Sequence, residues 1–202
     1  MKEKSVIAIF GGSFNPPLNS HIYFAEEILR KFSSVKKVVF VPVNSKYNKE
    51  GLISNEHRYN MLKLICDKNE DLLLSNIDIN SDRSLYTVEI LELMKQEYLN
   101  NDIWLVIGSD NLKELSIWKE SQKLIDEFKI LVIERDIDNI DEIMDSDELL
   151  NKYKDHFIKM DENDHRYFSS SHVRDMIEEG KDVSSYMPAE VLNYIKENKL
   201  YL

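Results

Sequence analysis

The residues best able to do chemistry lie in one stretch near the start: Gly11-Gly12-Ser13-Phe14-Asn15-Pro16-Pro17-Leu18-Asn19-Ser20-His21. An apolar run over residues 6–10 leads into it. After it, Ile22, Ala25, Ile28 and Leu29 recur at helical spacing as far as about residue 32. The pattern predicts a strand, a tight turn and a helix. Glycines at a strand's carboxyl end let backbone approach a ligand closely. The free N–H groups and positive dipole end of the next helix suit a phosphate. A second pattern of this kind is Ser169-Ser170-Ser171, which caps a predicted helix ending at Gly180 and carrying Arg174 one turn in. A phosphate site is one reading of the first turn, which many α/β proteins share, and the second segment reads as a capped helix with an arginine on it.

These residues need a scaffold. Residues 38–42, 72–79, 103–107, 130–133 and 157–160 read as further strands, and apolar periodicity predicts helices over 55–67, 87–98, 124–128 and from Pro188 onward. Strands that are apolar throughout and alternate with helices imply a parallel sheet covered on both faces. The fold class expected is therefore α/β, a Rossmann-like open parallel sheet with helices on both faces. In such sheets ligands bind beyond the carboxyl ends of the strands, near a topological switch point. The informative loops thus follow Phe10, Pro42, Ile79, Ile107 and Met160. Residues 136–148 are acidic with interspersed isoleucines, and read as a solvated amphipathic helix or surface insertion.

At 202 residues the chain suits one domain, 1–202, with no repeat, low-complexity tract or evident linker. A net charge of −11 argues against a general nucleic-acid or anionic-membrane surface. One cysteine, Cys66, excludes an internal disulfide and any multi-cysteine metal site, which favours a cytoplasmic setting. No apolar run is long enough to span a membrane, and no secretory h-region opens the chain. Asp78-x-Asn80-x-Asp82 with Glu89 mimics a calcium loop, but Arg83 stands where that loop needs glycine. His57, His156 and His165 lack metal-ligand spacing, so no metal site is expected from side chains alone.

The wording of the motifs is more specific than their shapes. Gly11 to Pro16 resembles the signature of the nucleotidyltransferase superfamily, Gly-Gly-(Thr/Ser)-Phe-(Asp/Asn)-Pro, and His21 falls on that signature's last histidine. Leu18 and Ser20 depart from it. Arg83-Ser84-Leu85-Tyr86-Thr87, Ile107-Gly108-Ser109-Asp110-Asn111-Leu112, Trp118 and Ser169-Ser170-Ser171-His172-Val173-Arg174 are similar, in order, to motifs of the bacterial nicotinate or nicotinamide mononucleotide adenylyltransferases.

That resemblance implies an enzyme of NAD biosynthesis. It would transfer the adenylyl group of ATP, with Mg²⁺ on the phosphates, to nicotinate mononucleotide and release pyrophosphate. His21, Arg174 and Lys46 would be the catalytic residues. Gly11, Gly12, Ser13, Phe14, His21, Gly108, Asp110, Ser170, Ser171 and Arg174 would bind ATP. Ser13, Tyr86, Thr87 and Trp118 would bind the mononucleotide, and Lys46 or Lys49 would reach phosphate. Leu18 replaces a polar signature residue, and losing one charge-stabilising donor costs on the order of 10²–10³-fold in comparable sites. Two other readings stay open: a phosphopantetheine adenylyltransferase, and a nucleotide-binding sensor with weakened turnover. The resemblance alone favours nicotinate over nicotinamide mononucleotide as the acceptor.

Overall fold

The computed structural model describes residues 4–46, 51–134, 138–160 and 169–202. Its elements in chain order are β1 (Val6–Gly12), α1 (Asn19–Lys31), β2 (Val35–Pro42), α2 (Asn55–Cys66), β3 (Leu72–Leu74) and α3 (Thr87–Glu97). There follow β4 (Asp102–Gly108), α4 (Ser109–Leu112), α5 (Ser121–Glu127), β5 (Lys129–Ile133), α6 (Ile140–Asp145), α7 (Glu148–Lys152), β6 (Phe157–Met160), α8 (Ser170–Glu178) and α9 (Ala189–Glu197). The six strands form one parallel sheet in the order β3-β2-β1-β4-β5-β6.

Alternation along each strand explains why the strands are apolar throughout. Val6, Ala8 and Phe10 of β1 face one core, with Phe24 and Ile28 of α1, Leu62 of α2, Val173 of α8 and Val191 of α9. Ile7 and Ile9 face the other, with Leu91 of α3, Leu112 of α4, Leu124 of α5 and Met144 of α6. Val38/Val39 of β2 and Leu131/Val132 of β5 divide in the same way. The result is three layers, helices–sheet–helices, as the apolar runs predict.

From β1 the chain goes to β2 on one side, and later returns to β4 on β1's other side. The loops leaving β1 and β4 therefore diverge, opening a crevice at their carboxyl ends. That crevice is the switch point at which the glycine-rich turn was expected to act.

One strand is shorter than predicted. β3 ends at Leu74, and the expected continuation to Ile79 is a loop. The Asp78 carboxylate captures the backbone N–H groups of Asn44 and Leu85, both at 2.8 Å, which folds the segment back across the end of the sheet. The acidic segment forms α6, which buries Ile140 and Met144 against the sheet, while its residues 136 and 137 lie outside the described residues.

Candidate active site

The turn after β1 is held from several sides. Phe14 takes φ 45°, a left-handed conformation that costs a bulky residue roughly 1–3 kcal/mol. Packing offsets this: the Phe14 ring meets Phe10 edge-on at 5.8 Å, Phe40 at 5.4 Å and His21 at 5.2 Å. A Cβ on Gly12 would lie 3.0 Å from the Phe14 ring, so this glycine makes room for that ring. A Cβ on Gly11 would meet open space, which leaves its backbone approachable from the crevice.

His21 sits in the first turn of α1, 7% exposed. Its Nδ1 accepts the Leu18 N–H at 2.9 Å. An accepting Nδ1 carries no proton, so the neutral ring bears its proton on Nε2. The ring is thus a fixed donor at the start of the helix. Leu18 itself is 1% exposed and packs into the core on the α1 side. The signature's polar side chain is absent here, and the Leu18 backbone orients His21 instead. Truncating Leu18 to alanine is expected to cost about 2–5 kcal/mol of stability. Denaturant titration measures this, and a cost below 1 kcal/mol would contradict the burial.

The N-terminus of α8 docks on the same turn. Ser170 Oγ donates to the Pro16 carbonyl at 2.9 Å, and Arg174 Nη1 donates to the Asn15 carbonyl at 2.9 Å. Arg174 Nη2 also donates to Ser171 Oγ at 3.2 Å. The Asn15 side chain completes the assembly, donating to the Gly51 carbonyl and accepting from the Tyr201 hydroxyl, each at 2.8 Å. Two helix N-termini, one imidazole ring and one guanidinium therefore meet at one loop, an arrangement suited to a polyphosphate. Ser20 Oγ, at the same helix start, is buried with no hydrogen-bond partner among the described residues.

Across the switch point, β4 ends at Gly108, which caps α4, with Ser109 buried and Asp110 exposed at its start. Tyr86 caps α3 and is 54% exposed, and Thr87 is the first helical residue. Glu89 shapes this corner. It accepts the Tyr86 N–H at 2.8 Å and forms a two-armed ion pair with Arg83 at 2.5 and 2.8 Å. The Arg83 bonds, then the Tyr86 N–H, hold the Glu89 carboxyl at about 2.

This set of bonds stabilises the start of α3 at pH above about 4.5, and is lost as the pH falls toward about 2. Thermal melts from pH 5 to pH 2 should show a shallower fall for Glu89→Gln than for the native chain. Equal slopes would contradict this. The group is solvent-accessible, so the difference is small and shrinks with added salt.

Trp118 is half-buried against the α3-side core, following a short 3₁₀ turn, Leu115–Ile117. The exposed Lys46 donates from Nζ to the Asp82 carbonyl at 2.5 Å, so it braces the loop before α3. Lys49 and His165 lie outside the described residues. Asp78 of the calcium-like pattern is buried and spent on backbone N–H groups. Among the described residues no three His, Cys, Asp or Glu side chains cluster as a metal site.

Sequence reading passed over Arg58, which is 0% exposed. It donates to the Ser13 carbonyl at 3.1 Å, the Ile53 carbonyl at 3.1 Å and Asn55 Oδ1 at 2.7 Å. Burial pulls its pKa down to about 10, so it stays charged at neutral pH. A signal was present: Arg58 shares the apolar stripe of α2 with Met61, Leu62 and Ile65.

The cytidylyltransferase-like family model matches residues 9–176, the span from β1 into α8. A Borrelia hermsii (strain HS1 / DAH) protein named "Probable nicotinate-nucleotide adenylyltransferase" is 34% identical over 97% of each chain. This chain belongs to the cytidylyltransferase-like family, in its nicotinate-nucleotide adenylyltransferase branch. A Carboxydothermus hydrogenoformans protein of the same name is 32% identical over 96% of this chain and 97% of its own. In fold, the chain matches Plasmodium falciparum nicotinic acid mononucleotide adenylyltransferase, solved as a complex with NaAD. The TM-score is 0.82 with 23% identity, over 98% of this chain and 97% of that one.

No helix among the described residues of this adenylyltransferase-family chain is long and apolar enough to cross a membrane.

Proposed function

We propose that the chain, acting as one cytoplasmic domain, transfers the adenylyl group of ATP to nicotinate mononucleotide. The observation that carries this reading is the convergence of His21 and Arg174 on the β1 turn at the switch point. The full-length relatives that bear the nicotinate name support this acceptor over phosphopantetheine.

In the reaction a phosphate oxygen of the mononucleotide attacks the α-phosphorus of ATP. The bond from that phosphorus to the bridging oxygen breaks, and pyrophosphate leaves. No covalent enzyme intermediate is needed, so the protein's task is alignment and charge stabilisation. His21 Nε2–H faces the α-phosphate, where charge develops. Arg174, Ser170 and Ser171 hold the β- and γ-phosphates, and the Gly11–Phe14 backbone lets the chain approach them. Gly108 and Asp110 receive the adenosine. Thr87 and the backbone at Tyr86 receive the pyridine substituent, with Trp118 beside the ring and Ser13 near the mononucleotide phosphate. Lys46 serves this corner by fixing the loop before Tyr86. Mg²⁺ would arrive on ATP and neutralise its phosphates.

The test compares pyrophosphate release with ATP and Mg²⁺ on nicotinate mononucleotide, nicotinamide mononucleotide and phosphopantetheine. The highest kcat/KM is expected with nicotinate mononucleotide. A preference for phosphopantetheine would overturn the assignment.

A further inference from the structure

Arg58 and Asp78 are both fully buried charged groups, and their described hydrogen bonds to each other's surroundings run through two amide side chains. None of the three described guanidinium bonds of Arg58 goes to a carboxylate. It holds the Ser13 carbonyl, in the turn proposed to meet ATP, and passes to Asn55 Oδ1. Asn55 Oδ1 also accepts the Ser45 N–H at 2.6 Å. Its Nδ2 donates to the Ile79 carbonyl at 3.2 Å and to Asn44 Oδ1 at 3.4 Å.

Asn44, itself buried, donates from Nδ2 to the carbonyls of Asp78 at 2.9 Å and Ser81 at 3.0 Å. The Asn44 N–H goes to Asp78 Oδ2, and Asp78 Oδ1 takes the N–H of Leu85, the residue before Tyr86. A continuous polar path thus runs beneath the sheet's carboxyl edge, from the β1 turn to the start of α3.

We infer that Arg58, Asn55, Asn44 and Asp78 form one positioning network that fixes the nicotinate mononucleotide subsite at Tyr86–Thr87 relative to the ATP-binding turn at Ser13. The inference rests on the proposed placement of the two substrates. Its physical basis is that the pyridine end of the mononucleotide and the phosphates of ATP are held on different loops, the start of α3 and the β1 turn, so the spacing of those loops sets the reacting distance. A displacement of about 1 Å between bound reactants can cost 10²-fold in rate. Buried polar groups joined end to end hold one geometry, because breaking any link leaves an unpaired group in a dry place. Neither Arg58 nor Asp78 is placed to touch a substrate; they act through Ser13 and Leu85.

Asn55→Asp is the decisive variant. An aspartate keeps the acceptors for Arg58 and Ser45 but loses the Nδ2 donor to Ile79 and Asn44, so the network is cut at its middle while both halves remain. Aspartate in a helix's first turn is also favourable, so the fold should persist. The expected result is a rise of about tenfold in KM for nicotinate mononucleotide and a lower kcat, with KM for ATP within about twofold, in a protein that still folds with native circular dichroism at the assay temperature although it melts lower.

Asp78→Asn, which keeps shape but can satisfy only one of two N–H groups, is expected to give the same split. The double variant should be no worse than the poorer single one, since one network is cut twice. Equal rises in both KM values, an unchanged KM for the mononucleotide in Asn55→Asp, or multiplicative losses in the double variant would overturn the inference. Wild-type turnover is measured in the same assay. Its absence overturns the functional reading and the inference with it, whereas wild-type turnover matched by Asn55→Asp overturns the inference alone.

Discussion

Replacing His21 with alanine should lower kcat for adenylyl transfer by about 10²–10³-fold, the cost of one preorganised donor at a developing oxyanion. The ring is built for that role before substrate arrives. The Leu18 N–H occupies Nδ1, which sets the tautomer, and the edges of Phe10 and Phe14 fix the plane of the ring. Little reorganisation is then left for the moment of reaction. His21→Gln, whose amide can still donate, should recover part of the loss. ATP affinity should change much less than kcat, because the interaction strengthens only as charge develops. Single-turnover rates under saturating ATP measure this, with near-ultraviolet circular dichroism to verify packing. A folded His21→Ala protein within threefold of the native rate would contradict the assignment.

Arg174→Ala should reduce kcat/KM for ATP by about 10²–10³-fold through loss of a charge-assisted fork at the polyphosphate. Arg174 is already aimed by its bonds to the Asn15 carbonyl and Ser171 Oγ, so its planar geometry matters as well as its charge. Lysine brings a point charge without the fork, and Arg174→Lys should restore only a minor part. KM for the mononucleotide should stay nearly constant, since its subsite lies across the crevice at α3. Steady-state kinetics with each substrate varied in turn make the measurement. Equal damage to both KM values would mean that Arg174 acts by holding the turn rather than the phosphates.

The legible parts of this structure are those where one local pattern decides. The layered α/β sheet was readable because strands such as Ile130-Leu131-Val132-Ile133 are apolar on both faces. The β1 turn and the capped helix with Arg174 were readable because glycine, serine and arginine stand at spacings set by a turn and a helix. That they meet, through Ser170 on Pro16 and Arg174 on Asn15, is a contact across more than 150 positions that no local pattern encodes.

The end of β3 was misread for a similar reason. Ile77 and Ile79 alternate like a strand, but Asp78 between them is captured by Asn44, 34 residues away. Arg58 was hidden because its partners are mostly carbonyl oxygens, which every residue carries. Leu18 shows how a motif letter can mislead. The polar side chain is missing, yet the backbone N–H at that position does the orienting, and the leucine adds to the core.

The most direct test of adenylyl transfer uses ATP labelled in its α-phosphate, with Mg²⁺ and nicotinate mononucleotide, and follows the label by chromatography. Label is expected to move into nicotinate adenine dinucleotide in step with pyrophosphate release, and His21→Ala is expected to slow this transfer by about 10²–10³-fold. If the folded native chain binds ATP and the label stays in ATP, the chain is a nucleotide-binding module without transfer, and the proposed function is wrong.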